Sequence, residues 1–337
     1  MKYGLLISAQ HSPTEDFAEK VRQHAEQVAT AYAYGLDSVF FAHHALANPY
    51  AYFHPLALLA RLAAEGPRMI FGTGVLILPL YHPVDMAEHV ATLDAICGGR
   101  LVLGVGLGYR DNEFAAFGLK RSARVQRFEE SLALMKKLWT EDSVTFQGEH
   151  FQVENVTTKT RPVQKPHPPI WIGAKKDVAV ERAARLGDAW IITPTDELQQ
   201  VQRQVKLYRD ARVAAGKSGD PEIAMIAETY VAPDRTAARG EAEPYLRNKY
   251  SAYAQWKRRS GEQVDDYYNM EQLLTDRFII GNPADCIRAI TSLHAALGVN
   301  HFLFRVQWPG IEPAKVLRTI RLIGEAVIPA LKSEISR

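Results

Sequence analysis

One feature constrains this chain more than any other. Short apolar runs alternate with longer stretches whose apolar residues recur at helical spacing, almost from end to end. The runs are Tyr3–Ser8, Ser38–Ala42, Met69–Leu78, Leu101–Val105, Ile170–Ile172, Ala189–Ile192, Ile223–Val231 and His301–Val306. Strands that alternate with helices argue for a parallel sheet with right-handed crossovers. Eight such units within 337 residues favour a closed (β/α)₈ TIM barrel over an open, doubly wound sheet.

Local signals set the expected elements. Ser12-Pro13-Thr14-Glu15 reads as a capping box with proline at the first helical position. Phe17, Val21, Ala25, Val28 and Tyr32 follow on one helical face, and Gly35 stops the helix. Further helices are expected at His54–Glu65, at Pro83–Ile96 (closed by Gly98-Gly99), through Phe128, Leu132, Met135 and Leu138, at Val178–Leu186, and at Glu312–Leu331. Asn282-Pro283-Ala284-Asp285 starts another, capped at Gly298. Val144–Val153 alternates around Gln147-Gly148 and predicts an inserted hairpin. Residues 234–277 are long, polar and aromatic-rich, and read as an insertion between the seventh strand and its helix, a mobile lid. No Ser/Gly-rich linker divides the chain, so residues 1–337 are expected to form one barrel domain.

Composition excludes several function classes. Hydrophobic residues are 47% and charged residues 23%, as in a packed globular protein. The formal net charge of +2 offers no basic field for a nucleic acid backbone. Cys97 and Cys286 lie far apart in apolar helical patterns and read as buried free thiols of a reducing compartment. The first residues turn polar too early for a secretory core, and the apolar stretch Met69–Leu80 is too short, and too interrupted by Gly72, Gly74 and Pro79, to span a bilayer. A cytoplasmic protein without membrane or nucleic acid partners is expected.

In a barrel of this kind the chemistry sits at the C-terminal ends of the strands. Those positions carry His43-His44, the loop with Asn48, Tyr50, Tyr52 and Phe53, then Tyr81-His82, Gly104–Arg110, Gly173–Lys176, Thr193-Pro194 and Arg305–Trp308. The glycine run resembles a dinucleotide fingerprint, but its third position is Tyr109 and no acidic residue ends the next strand. Small residues there equally admit a planar ligand or a neighbouring strand. Adjacent histidines on a strand face opposite ways, so His43 and His44 make a poor metal clamp, and no metal site is expected. Lys175-Lys176 opens a helix and suits a phosphate, or is a pair of solvated lysines; Arg121, Arg124 and Arg127 form a basic helix start that reaches the same region or faces solvent. Signatures of zinc proteases, serine hydrolases, P-loop nucleotidases and thioredoxins are missing.

Several segments, in order, carry a resemblance. They are Phe71–Val75, Leu78-Pro79, His82-Pro83, Ala91–Asp94, Gly98–Leu101, Gly104–Tyr109, Glu113, Phe117-Gly118, Arg127–Ser131, Leu138-Trp139, Pro168–Ile170 and Gly281–Pro283. Together they resemble the bacterial luciferase-like flavin monooxygenase family, which also contains F420-dependent oxidoreductases. The resemblance implies a (β/α)₈ barrel binding FMN, or F420 in sister branches, at the strand ends. It puts the catalytic base on His44, with His43 where the family usually carries an acid, so both are catalytic candidates. The family's often-cis peptide under the flavin maps to Gly74-Val75, and its phosphate-binding arginine aligns with Leu107. The implied cofactor positions are therefore Thr73, Gly74, Val75, Gly106, Tyr109, Arg124, Gly173, Ala174 and Lys175.

The activity this implies is a two-component monooxygenase. Reduced FMN from a separate NAD(P)H-dependent flavin reductase would react with O₂, forming a flavin C4a-peroxide that oxygenates a small, apolar organic substrate. Phe41, Tyr50, Tyr52, Phe53, Tyr81 and Trp308, with the lid, would keep water out. F420-dependent hydride transfer on the same barrel is the alternative, and a non-catalytic flavin-binding protein is a third. The helix at His54–Glu65 is apolar nearly all round, which predicts a homodimer through it and the helix at Pro83–Ile96.

Overall fold

The computed structural model describes residues 1–259 and 269–335. Eight parallel strands form a closed barrel: β1 (Lys2–Ile7), β2 (Ser38–Phe41), β3 (Ile70–Thr73), β4 (Leu101–Gly106), β5 (Ile170–Gly173), β6 (Ala189–Ile192), β7 (Glu222–Val231) and β8 (His301–Arg305). Each strand pairs with its sequence neighbours, and β8 returns to β1 in the register Lys2–His301 through Leu5–Phe304. Helices cross between the strands, so the expected (β/α)₈ architecture is the observed one.

Strand alternation sorts the apolar side chains into two cores. Leu6, Phe40, Val102, Trp171, Ile191, Ile226 and Leu303 fill the barrel interior. A larger cluster packs the outer strand faces against the helices. Gly4 and Gly104 permit close strand contact: a Cβ would stand 1.9 Å from Ser38 Oγ at the first, and 1.7 Å from the Thr73 carbonyl oxygen at the second. His301 closes the N-terminal end, meeting Ser38 Oγ at 2.7 Å and Glu222 at 3.1 Å, with its ring edge-on to Trp171.

Several boundaries differ from expectation. The first helix runs Phe17–Ala33 with Asp16 as its cap, accepting from the amides of Ala18 and Glu19. Ser12 N–H does donate to Glu15, but this closes a turn ahead of the helix. The third run breaks after Thr73 at a cis Gly74–Val75 peptide and resumes as Leu76–Ile77. A helix at Leu198–Ala214 follows β6, and a short one at Asp111–Ala116 follows β4. The expected hairpin is Val144–Gln147 with Gln152–Val156, and its turn amides at 149–151 all donate to the Glu130 carboxylate. Asn282 and Asp285 form a full capping box at the helix Pro283–Leu297, ended by Gly298 in the left-handed region. The last helix carries a π-helical segment at Ile323–Val327.

The largest difference concerns the insertion. Its described residues are mainly helical, with a 25-residue helix at Arg235–Arg259 and a short helix at Met270–Asp276, after which a strand at Ile279–Gly281 pairs parallel with the end of β7. Residues 260–268 of the expected lid lie outside the described residues. Ala238, Ala242, Leu246, Tyr250 and Trp256 are buried, so the long helix is docked on the barrel along one face. The helix at Pro55–Leu62 packs its apolar side on its own chain. Leu56, Leu58, Leu59 and Leu62 are buried within the chain, and its exposed positions are Ala57 and Arg61. The apolar content that suggested a homodimer is used internally. No helix among the described residues is long and apolar enough to cross a membrane.

Candidate active site

Inward positions continue the alternation above the interior core. They are Ser8 after β1, His44 after β2, Gly74 after β3, Gly106 of β4, Gly173 of β5, Glu228 of β7 and Arg305 of β8. One half of the mouth is therefore lined by glycines. The other half carries titratable groups.

His44 occupies an aromatic box. Its ring lies 5.4 Å from Trp256, 5.5 Å from Tyr52, 5.8 Å from Tyr109 and 6.1 Å from Tyr253. Its Nδ1 is 3.2 Å from Glu113 Oε1, and Glu113 is wholly buried. Ala45 N–H and Arg110 donate to the same oxygen, and Arg110 also donates to the carbonyls of Ala45 and Leu46. Burial alone would raise the Glu113 carboxyl. The hydrogen bond and charge of His44, with Arg110 and the Ala45 amide, outweigh it and hold the carboxyl below its usual range. The arrangement is an imidazole with one nitrogen fixed by an ionised carboxylate and the other free to face a reactant.

His43 does something else. The Ile77 amide donates to its Nδ1 at 3.3 Å, which places the proton on Nε2, 3.4 Å from Tyr81 OH; Tyr81 in turn meets His54 at 2.8 Å. Burial pushes its imidazole down to about 3. Grouped with His44 as catalytic from sequence, His43 points away from the mouth and is a neutral, packed link between strand and helix.

The implied cofactor positions fall into three sets. Thr73, Gly74, Val75, Gly106 and Gly173 come together: Thr73 Oγ1 donates to Gly104 O at 2.6 Å, and half-buried Val75 lies in the hollow that the glycines leave. A Cβ at Gly106 would stand 2.6 Å from Val75 Cγ2, and one at Gly173 would stand 3.0 Å from Val75 Cγ1. This makes a low apolar floor of glycines and Val75, a fit for the face of a planar isoalloxazine-type ring. Tyr109 is apart from it, beside His44. Ala174 and Lys175 follow β5, where Lys175 pairs with buried Asp196 at 2.5 Å. Arg124 donates to the Arg121 carbonyl, and Arg127 donates to Pro79 O and stacks on Phe151, which commits Arg127 to holding structure. Among the described residues no cluster suits a metal ion.

Sequence reading marked only Arg305 and Trp308 of the charged cluster on the other side, and gave no role to Glu228, Lys249 or Tyr250. Glu228 Oε1 accepts from Lys249, from Tyr250 OH at 2.8 Å and from Arg305 at 2.7 Å, while Trp308 Nε1 donates to Oε2 at 2.5 Å. Nor did it give one to Glu113, Arg110 and Trp256. Arg110 stacks on Trp256 at 4.4 Å, and Trp256 Nε1 donates to Asn48 O at 2.7 Å, which fastens the insertion helix over the His44 loop. Two signals were available: Arg110 and Glu113 three apart beside the glycine run, and Leu246, Lys249, Tyr253 and Trp256 at helical spacing.

The chain is similar to known proteins over nearly its whole length. The family model described as luciferase-like monooxygenase matches residues 1–301. The chain is 30% identical to an F420-dependent glucose-6-phosphate dehydrogenase of Nakamurella multipartita, over 92% of each chain. The crystal structure of the monooxygenase RslO1 from Streptomyces bottropensis superposes with a TM-score of 0.84, at 29% identity, covering 98% of this chain and 99% of that one. The oxygenating constituent of 3,6-diketocamphane monooxygenase from Pseudomonas putida, solved with FMN, shares the fold at a TM-score of 0.81 and 20% identity, over 98% of each chain.

Proposed function

Since the chain belongs to the luciferase-like monooxygenase family, we propose that it is the oxygenating component of a two-component flavin monooxygenase acting on a small organic substrate. In this reading FMN is the cofactor, reduced by a separate NAD(P)H-dependent flavin reductase that docks transiently. When bound, reduced FMN supplies the activation of O₂. The observation that carries the reading is the division of the mouth. A glycine-lined floor around Val75 shares the mouth with His44, an imidazole held by Glu113 inside an aromatic box.

The chain's own residues then have separable tasks. Val75, Gly106 and Gly173 seat the ring. Glu113 fixes the His44 ring through Nδ1, so Nε2 takes or returns the substrate proton. Trp256, Tyr253 and Tyr52 keep water from the reacting atoms. The likeness to RslO1, a monooxygenase at 29% identity, supports oxygen chemistry.

A second reading, hydride transfer with F420, is favoured by the Nakamurella relative. The same His44–Glu113 pair would serve it by exchanging a proton with a substrate hydroxyl. Parallel titrations with FMN and F420, followed by O₂ consumption with reduced FMN, test the two. Tight FMN binding with substrate-dependent O₂ uptake is expected; F420 binding without FMN affinity overturns the first reading.

A further inference from the structure

The buried cluster at the β7–β8 side of the mouth carries more positive than negative charge. Glu228 is its one carboxylate, and Lys249 and Arg305 both direct a donor to the same oxygen of it. With Tyr250 added, three donors crowd that oxygen, and Trp308 Nε1 donates to the other. The second cation has no counter-charge of its own, although Lys249 is 1% exposed and Arg305 8%. An uncompensated buried charge costs several kcal/mol unless a ligand completes it. The strain registers on Lys249: burial and the charge of Arg305 pull its ammonium down to about 7, despite Glu228 beside it.

Donors stand ready beside that charge. Arg305 Nε has no hydrogen-bond partner among the described residues, and neither has the amide nitrogen of fully buried Gln10. Gln307 donates to the Gln10 carbonyl at 3.3 Å, which ties the end of β1 to the end of β8. Tyr253, whose ring faces His44, lies 3.5 Å through its hydroxyl from Gln10 Oε1 and close enough to Arg305 to influence its charge. Two unpaired, buried donors therefore stand on residues that follow β1 and end β8, the strands across the barrel from the glycines of β4 and β5.

We propose that Arg305 and Gln10 bind the substrate through a carboxylate, so that the enzyme acts on organic acids. The inference rests on reading the mouth as the reacting site. It differs from a cofactor phosphate site because β1 and β8 lie across the barrel from the glycines of β4 and β5. One carboxylate oxygen takes Arg305 Nε–H, the other takes the Gln10 amide, and the anion supplies the missing counter-charge. An amide of the same shape brings no charge and turns an N–H toward the donors.

Calorimetry at constant ionic strength tests this, with benzoate and hexanoate against benzamide and hexanamide. The acids are expected to bind at least tenfold more tightly than the amides. Arg305→Met should abolish the preference. Because that variant also removes a partner of buried Glu228 and so threatens the fold, Gln10→Met serves beside it and should reduce the preference severalfold. Amides binding as well as acids, neither acid binding, or an undiminished preference in Gln10→Met would each overturn the proposal. FMN titration of the wild type runs in parallel: loss of FMN affinity with the acid preference intact refutes the flavin reading and leaves this one standing.

Discussion

His44 Nδ1 lies 3.2 Å from Glu113 Oε1, the same oxygen that accepts from Ala45 N–H and from Arg110. Three donors on one oxygen keep the carboxylate ionised and the imidazole in a single orientation. Replacing His44 by Ala removes the acid–base group and is expected to lower turnover about 10²–10⁴-fold. Glu113→Gln keeps the shape but loses the charge that fixes the tautomer, and should cost about 10²-fold. Since the Glu113 carboxyl is held low in the fold, its contribution to stability is present at neutral pH and is lost as pH falls through that depressed value. FMN affinity should stay within about twofold in both variants, because neither residue belongs to the glycine floor. Steady-state rates and flavin titration check this, and full activity in His44→Ala would refute the assignment.

Trp256 is the clamp of the insertion helix. It donates to Asn48 O, stacks under Arg110, and forms one wall of the His44 box. Its removal opens the mouth to water without touching the acid–base pair. Trp256→Ala is therefore expected to keep O₂ consumption but divert it, so that H₂O₂ released per O₂ consumed rises severalfold. A peroxide assay beside an oxygen electrode measures the ratio. An unchanged ratio would mean that the helix does not keep solvent from the site.

Much of this architecture was legible in the sequence because it is written locally. The eight strands show as apolar runs, and the caps at Gly98 and Asn282 show as single residues. What escaped was decided by distant partners. Glu113 pairs with His44 across 69 positions, and Lys249 reaches Glu228 across 21. The insertion read as a polar lid because its docked face carries Lys249, Tyr250 and Tyr253, whose hydrogen-bonding atoms are satisfied or covered only once the barrel is built. Strand alternation separates His44 from His43, and the contacts of each show His44 at the mouth and His43 packed behind it.

Acid should destabilise this fold more steeply than its carboxylates alone require. Burial pushes His11 and His43 down to about 3 and His24 down to about 4. His11 and His24 face each other at 3.0 Å, packed by Phe53, with Glu15, Lys20 and Gln27 beside them. Each of these histidines is neutral in the fold and protonates near 6.5 when unfolded, so the unfolded state binds more protons as pH falls. Stability is fully present above that value and declines from about 6.5 toward 4, by up to about 1.4 kcal/mol per pH unit for each histidine. Denaturant titrations at pH 7, 6 and 5 test the slope. His24→Gln should flatten it, and an unchanged slope would show that the pair does not resist protonation.

Two neighbouring glycines of β4 separate fold from function. At Gly104 a Cβ would meet the Thr73 carbonyl at 1.7 Å, and that obstacle is backbone, fixed by its own strand. Gly104→Ala must part β3 from β4 and should cost about 3 kcal/mol or more, enough to lower expression and the melting temperature together. At Gly106 the obstacle is Val75 Cγ2 at 2.6 Å, a half-buried side chain that can turn upward. Gly106→Ala should cost only about 1 kcal/mol in stability. Turning Val75, however, raises the floor on which the ring would lie, so FMN affinity should fall about tenfold or more, since a misfit of this kind is worth 1–3 kcal/mol. Melting temperature and flavin titration on the two variants should thus move in opposite proportion. If Gly106→Ala binds FMN as the wild type does, the ring does not lie against Val75, and the glycine-lined half of the mouth is packing alone.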